Sequence, residues 1–236
     1  MEDKIAKQRL NVIMLVDCST SMRGERISQV NNALRDIKSH LSEMQDENAN
    51  VDFYLTVITY STDAFLLNRD TMKPIKDFDF KDIKAGGWSN LHVAYAKLEE
   101  LLKRESKGGI MPDFGGVAPI LLLMNDGHPT KWPMKEEMSA LKKLPWFNVA
   151  LKYGIAIELK DQRTMDVLKD FVSGNGDIIE CYDSKLLERI IKIIILTASK
   201  VKSQSSSVHN ESHQSVTTEI KQQVQQALTE VDDWEW

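Results

Sequence analysis

Ile120-Leu121-Leu122-Leu123-Met124-Asn125-Asp126 is the stretch that decides the fold. Five consecutive apolar residues without polar alternation read as a strand buried on both faces, the condition of a central strand in a parallel sheet. Asn11 to Val16 is a second such run, and Val51, Phe53, Leu55, Val57 and Thr59 alternate as a third. Between the last two, Ile27, Val30, Leu34, Ile37, Leu41 and Met44 recur at helical spacing, which predicts an amphipathic helix of four to five turns. Ala64 to Leu67 predicts a short strand returning antiparallel at an edge. Leu91 to Leu102 predicts a helix, as do Lys135 to Lys143, Thr164 to Phe171 and Ser184 to Val201, with strands at Val149 to Ile157 and Ile178 to Cys181. Strands alternating with helices predict one doubly wound α/β domain, mostly parallel, with helices on both faces of the sheet.

Composition narrows the function classes. The chain has 236 residues, 42% hydrophobic and 28% charged, the balance of a globular protein with a substantial core. Its net charge of −5 argues against nucleic acid as the main partner, because phosphate neutralisation needs a basic surplus. The last thirty-five residues, Lys202 to Trp236, hold 2 basic and 6 acidic residues, so the acidity is concentrated in an appendage to a nearly neutral body. Two cysteines, Cys18 and Cys181, build neither a disulfide framework nor a four-ligand zinc site. The charged N-terminus lacks an apolar signal region, and the run Ile190 to Leu196, interrupted by Lys192, is too short to span a bilayer. A cytoplasmic protein without membrane partners is expected. The pattern predicts a body over 1–201, a flexible Ser-rich linker over 202–218, and a short amphipathic helix with an acidic tail over 219–236.

In doubly wound sheets the ligand site lies beyond the C-terminal ends of the strands. Directly after the first strand comes Asp17-Cys18-Ser19-Thr20-Ser21, whose carboxylate and two hydroxyls recur at a spacing of two. That donor set suits a hard cation such as Mg²⁺, which prefers oxygen ligands and retains waters. Gly86-Gly87-Trp88-Ser89 adds a third hydroxyl just before a helix, and Asp126 adds a second carboxylate just after the most buried strand. The simpler reading of the first loop is a polar turn whose Ser19 or Thr20 caps the next helix. Three polar clusters where the sheet topology places a ligand site favour the metal reading.

With these residues in view, Asn11 to Val201 resembles the von Willebrand factor type A domain. Asp17, Ser19 and Ser21 match that family's metal-ion-dependent adhesion site (MIDAS), Ser89 stands where the family usually has Thr, and Asp126 matches the acidic residue of its third loop. Asp126-Gly127-His128-Pro129-Thr130 makes the chain look most like the bacterial intracellular branch typified by the tellurite-resistance TerY proteins. The resemblance implies Mg²⁺, with Mn²⁺ or Ca²⁺ as alternatives, and a protein partner whose Asp or Glu completes the coordination. It further implies stress-response or phage-defence systems with protein kinase or phosphatase partners. Lys131 and Trp132 replace the Asp that often follows Pro-Thr in that branch.

Enzyme readings fit less well. A phosphatase using Asp17 as nucleophile would want a second carboxylate two residues on, where this chain has Ser19. There is no Gly-x-Ser-x-Gly elbow, no phosphate loop and no dinucleotide fingerprint. No catalytic residue is assigned; a metal-dependent phosphohydrolase and a metal-free structural subunit remain as alternatives. His209 and His213 lie four apart in a polar segment and read as solvated, and His128 reads as a flank of the metal loop. The terminal Asp232-Asp233-Trp234-Glu235-Trp236 combines aromatic anchors with charge, the composition of a docking peptide, against the plainer reading of a solubilising end. One expectation is that Asp232, Asp233, Glu235 or the terminal carboxylate reaches a metal's open position.

Overall fold

Alternation along β1, Gln8–Asp17, sorts its side chains into two cores. Leu10, Val12, Met14 and Val16 point into one apolar layer and Ile13 and Leu15 into the other. This is the consequence of a period of two in a strand covered on both faces. The computed structural model describes residues 7–47, 51–68, 73–158, 162–173, 176–204 and 211–232.

β1 pairs in parallel with β2, Val51–Tyr60, on one side and with β5, Ile120–Asn125, on the other. Val12 therefore faces Leu55 across one ladder and Ile120 across the other. β6, Leu151–Ile157, and β7, Gly176–Cys181, continue in parallel beyond β5. β3, Ala64–Leu66, returns antiparallel along β2, as its sequence predicts, and the two-residue β4, Lys73–Pro74, pairs with β2 below it. The order β3-β2-β1-β5-β6-β7 reverses direction at β1, so the crevice between β1 and β5 is where this topology leaves room for a ligand.

Helix α1, Glu25–Glu47, shares the first core layer with α6, Ser184–Gln204; Val30, Leu34, Ile37 and Leu41 meet Ile190, Ile191 and Ile194 there. α2, Leu91–Leu101, covers the opposite face with α3, Lys135–Lys142, and α5, Gln162–Val172.

The structure lengthens β1 and β7 at their starts, adds the short β4, and departs from the sequence expectation further before β6 and around α7. The strand predicted from Val149 begins at Leu151, because Pro145 opens a one-turn helix, α4, Pro145–Val149. Proline suits the first helical position, where its missing N–H would have no partner anyway, and Phe147 is buried by the turn. Within the segment expected to be a linker, 202–204 belong to α6, which runs to Gln204, and 211–218 belong to α7, which spans Glu211–Asp232. The remaining linker positions, and Asp233, Trp234, Glu235 and Trp236 of the tail, lie outside the described residues, as does the side chain of Asp232. Ile220, Val224 and Ala227 of α7, spaced four and three apart, are buried. Ile220 and Val224 join the core layer of α6 and β7, and Lys221 pairs with Asp177 at 3.2 Å. Among the described residues no helix is long and apolar enough to cross a membrane.

Candidate metal centre

Asp17 is the last residue of β1, and the chain then turns through a single 3-10 turn at Thr20–Met22 before α1 starts. The turn is tied to the loop before α2 by main-chain bonds: Thr20 N–H donates to Gly87 O at 3.1 Å and Gly86 N–H to Cys18 O at 2.8 Å. The Thr20 hydroxyl donates to Gly87 O as well, at 2.9 Å. Gly87 has a φ of +91°, and a Cβ there would stand 2.6 Å from Thr62 Oγ1, so both conformation and space demand glycine. Thr130 N–H donates to Ser89 O at 2.7 Å, which joins the loop after β5 to the same assembly.

These ties bring all five predicted oxygen donors together. Ser89 Oγ donates to Asp17 Oδ2 at 2.8 Å, and Ser19 N–H donates to Asp17 Oδ1 at 2.6 Å. The Ser19 and Ser21 hydroxyls are 3.0 Å apart, and Ser21 Oγ donates to Asp126 Oδ1 at 2.8 Å. A chain of contacts thus runs from Ser89 through Asp17, Ser19 and Ser21 to Asp126. Asp17, Ser19 and Asp126 are buried. Burial pushes the Asp17 carboxyl up to about 6, against the hydrogen bonds from Ser19 and Ser89, with the charge of Asp126 adding to the rise. Cys18, between the donors, is pushed up to about 11 by burial and by Asp17, and its Sγ donates to Tyr60 O at 3.2 Å, so it stays a thiol.

Two residues that the sequence reading missed complete the site. Arg26, in the first turn of α1, sends Nη1 to Asp126 Oδ2 at 2.7 Å and to Ser21 O at 3.1 Å. Its Nε donates to Glu158 Oε2 at 2.8 Å. Glu158 follows β6 directly, in the left-handed region at φ +47°, with its N–H on Cys181 O at 2.9 Å. Arg26 and Glu158 are 132 positions apart, and nothing in the local pattern links them. His128 is half-buried and meets Trp132 edge-on at 6.3 Å, so it flanks the loop without joining the donors.

The donor set fits a hard divalent cation. Asp17 forms no ion pair among the described residues, although it is fully buried. The protons of Ser21 and Ser89 are directed at carboxylates, which leaves both hydroxyl oxygens with lone pairs to offer. The two carboxylates and three hydroxyls that the loops bring together are all oxygen donors, the ligand type a hard cation prefers.

The model of the von Willebrand factor type A domain matches residues 11–191. The chain belongs to the von Willebrand factor type A domain family. Similar solved structures agree on the fold. The ArnB paralog VWA2 from Sulfolobus acidocaldarius is 20% identical with a TM-score of 0.52, over 78% of this chain and 44% of that one. A von Willebrand factor type A protein from Catenulispora acidiphila is 12% identical with a TM-score of 0.58, over 81% of this chain and 43% of that one. The vWF domain of the type V pili tip protein Mfa5 from Porphyromonas gingivalis is 10% identical with a TM-score of 0.56, over 86% of this chain and 98% of that one. The chain spans less than half the length of the first two. No curated protein matches it in sequence. The matched residues 11–191 include Asp17, Ser19, Ser21, Ser89 and Asp126 of this VWA domain.

Proposed function

We propose that this VWA domain is a metal-dependent protein-binding module without catalytic activity, in which Asp17, Ser19, Ser21, Ser89 and Asp126 hold Mg²⁺. The observation that carries this reading is the fully buried Asp17 carboxylate, unpaired with any cation among the described residues and set beside three hydroxyls. When bound, the ion supplies an open, electrophilic position for an anionic oxygen. Asp17 and Asp126 provide the negative charge that retains a cation, and the three hydroxyls complete the oxygen set without adding charge. The partner group of matching chemistry is an Asp or Glu side chain of another protein. Trp88, next to Ser89 and 68% exposed, offers that partner an apolar anchor at the rim.

The TerY-like features of the third loop support a bacterial, cytoplasmic setting in stress response, tellurite resistance or phage defence, with a kinase or phosphatase as partner. The tail, Asp232 to Trp236, is proposed as a second docking element. Because α7 packs into the core, the tail is best tested by removing 233–236 and not by removing the helix.

The test is capture from native extract in Mg²⁺ with the full chain, the Asp17→Ala chain and the chain lacking 233–236. A partner lost with Asp17→Ala and with chelator supports the metal centre as the binding surface. A partner retained by Asp17→Ala overturns it. Mg²⁺-dependent turnover of a phosphate ester that Asp17→Ala abolishes would favour a phosphohydrolase instead.

A further inference from the structure

We propose that Arg26 sets the cation preference of this centre: by holding one oxygen of Asp126, it leaves that carboxylate able to offer a single oxygen, which favours Mg²⁺ over Ca²⁺. The inference rests on the reading of the five oxygen donors as a metal centre.

Each carboxylate oxygen of the site already has a donor. Asp17 Oδ1 receives Ser19 N–H at 2.6 Å and Asp17 Oδ2 receives Ser89 Oγ at 2.8 Å. Asp126 Oδ1 receives Ser21 Oγ at 2.8 Å. Asp126 Oδ2 receives Arg26 Nη1 at 2.7 Å, the one charged donor of the four; the others are the main-chain N–H of Ser19 on Asp17 and two serine hydroxyls, one of them on the other oxygen of Asp126. A serine hydroxyl rotates to suit a new neighbour, but a guanidinium remains charged and presents its N–H groups in a fixed plane. Arg26 has little freedom to turn away. Its side chain is 11% exposed and that of Asp126 is 1% exposed. The same Nη1 also bonds Ser21 O, and Nε is held by Glu158. Glu158 is in turn fixed by its main-chain bond to Cys181 at the end of β7.

Coordination chemistry then separates the two common hard cations. Ca²⁺ takes six to eight oxygens and readily accepts both oxygens of one carboxylate. Mg²⁺ keeps a strict octahedron, retains waters and takes one oxygen from each of one or two carboxylates. A carboxylate clamped on one oxygen suits the second demand and not the first. Arg26 divides its single positive charge between Asp126 and Glu158, so it offsets only part of the negative charge that Asp126 offers a cation.

The test is calorimetric titration of the metal-stripped full chain with MgCl₂ and with CaCl₂, for wild type and Arg26→Met, with thermal melts to confirm folding. Wild type is expected to bind Mg²⁺ at least as tightly as Ca²⁺. Arg26→Met is expected to shift the ratio of the two dissociation constants at least tenfold toward Ca²⁺. Where Arg26→Met lacks a cooperative melt, Arg26→Gln is read in its place, with an expected shift of at least threefold. A ratio unchanged in the folded variant, or a wild type that prefers Ca²⁺, overturns the role of Arg26 and leaves the metal centre standing. A wild type that binds neither ion overturns the metal centre itself, and this inference with it.

Discussion

Asp17 carries a negative charge into the interior with only hydrogen bonds to answer it among the described residues. That arrangement costs stability in the metal-free chain, since burial disfavours the ionised form. Asp17→Asn keeps the size of the side chain and an acceptor for Ser19 N–H while removing the charge. It is expected to stabilise the metal-free protein by about 1–3 kcal/mol in urea unfolding at pH 8 with chelator present. The same variant should lose all protection by Mg²⁺. An Asp17→Asn chain that is less stable than wild type in chelator would show that the site is not strained by its charge. Trp88 belongs to the opposite category of residue, exposed and unburdened by packing. Trp88→Ala is expected to leave stability within about 0.5 kcal/mol and to weaken partner capture sharply, as comparison of melts and pull-downs would reveal.

At the scale of elements, α7 separates what the pattern announces from what it hides. Ile220, Val224 and Ala227 mark a helix with an apolar face, and all three are buried. The turns from Glu211 to Thr218 carry Ser, His, Gln and Thr with Val216 as their one apolar residue, so no period betrays them. α4 escapes for a related reason: one turn is too short for a period, and Val149-Ala150-Leu151 reads as strand onset. That Asp17, Ser19, Ser21, Ser89 and Asp126 share one place is legible from the Asp-x-Ser-x-Ser spacing, from the position of these loops at one edge of the sheet and from the family resemblance, and the structure brings the five together. Arg26 and Glu158 are not legible, because their bond depends on the placement of β6 beside β5 and on a left-handed backbone at Glu158.

Ile220→Ala is expected to cost about 2–4 kcal/mol in urea unfolding, the range for a buried aliphatic truncated to Ala. A loss under about 0.5 kcal/mol would mean that α7 is an ornament on a self-sufficient body. Lys152 of β6 gives a pH signature. It is buried, with Nζ donating to Phe147 O at 3.1 Å, and burial with the nearby charge of Lys142 lowers its ammonium to about 8. Below pH 8 the folded chain holds this charge at a penalty that the unfolded chain escapes. From pH 8 toward 10.5 the folded state loses the proton while the unfolded state keeps it, so stability rises with pH across that window. Lys152→Met is expected to gain about 1–3 kcal/mol at pH 7, a gain that shrinks as pH climbs toward 10.

For the molecule as a whole, the proposed metal centre predicts a link between cation and fold. A cation that binds the folded chain alone stabilises it by about 2.7 kcal/mol at a hundredfold excess over its dissociation constant. Melting temperatures should therefore climb with Mg²⁺ concentration in wild type and stay flat in Asp126→Ala, and a flat wild-type curve would count against the metal centre.

The loops around this site are fastened to one another chiefly through main-chain atoms, Thr20 to Gly87, Gly86 to Cys18 and Thr130 to Ser89, with a glycine demanded at Gly87. Bonds of that kind are indifferent to most side chains. The collar of residues that a visitor would meet first, Trp88, His128 and Lys131 among them, can therefore be exchanged without loosening the bowl beneath. On the proposed reading, the donors that would hold a cation and the residues that would meet a companion are separately adjustable, so a protein built this way could change allegiance by swapping a few rim residues and leave its interior untouched.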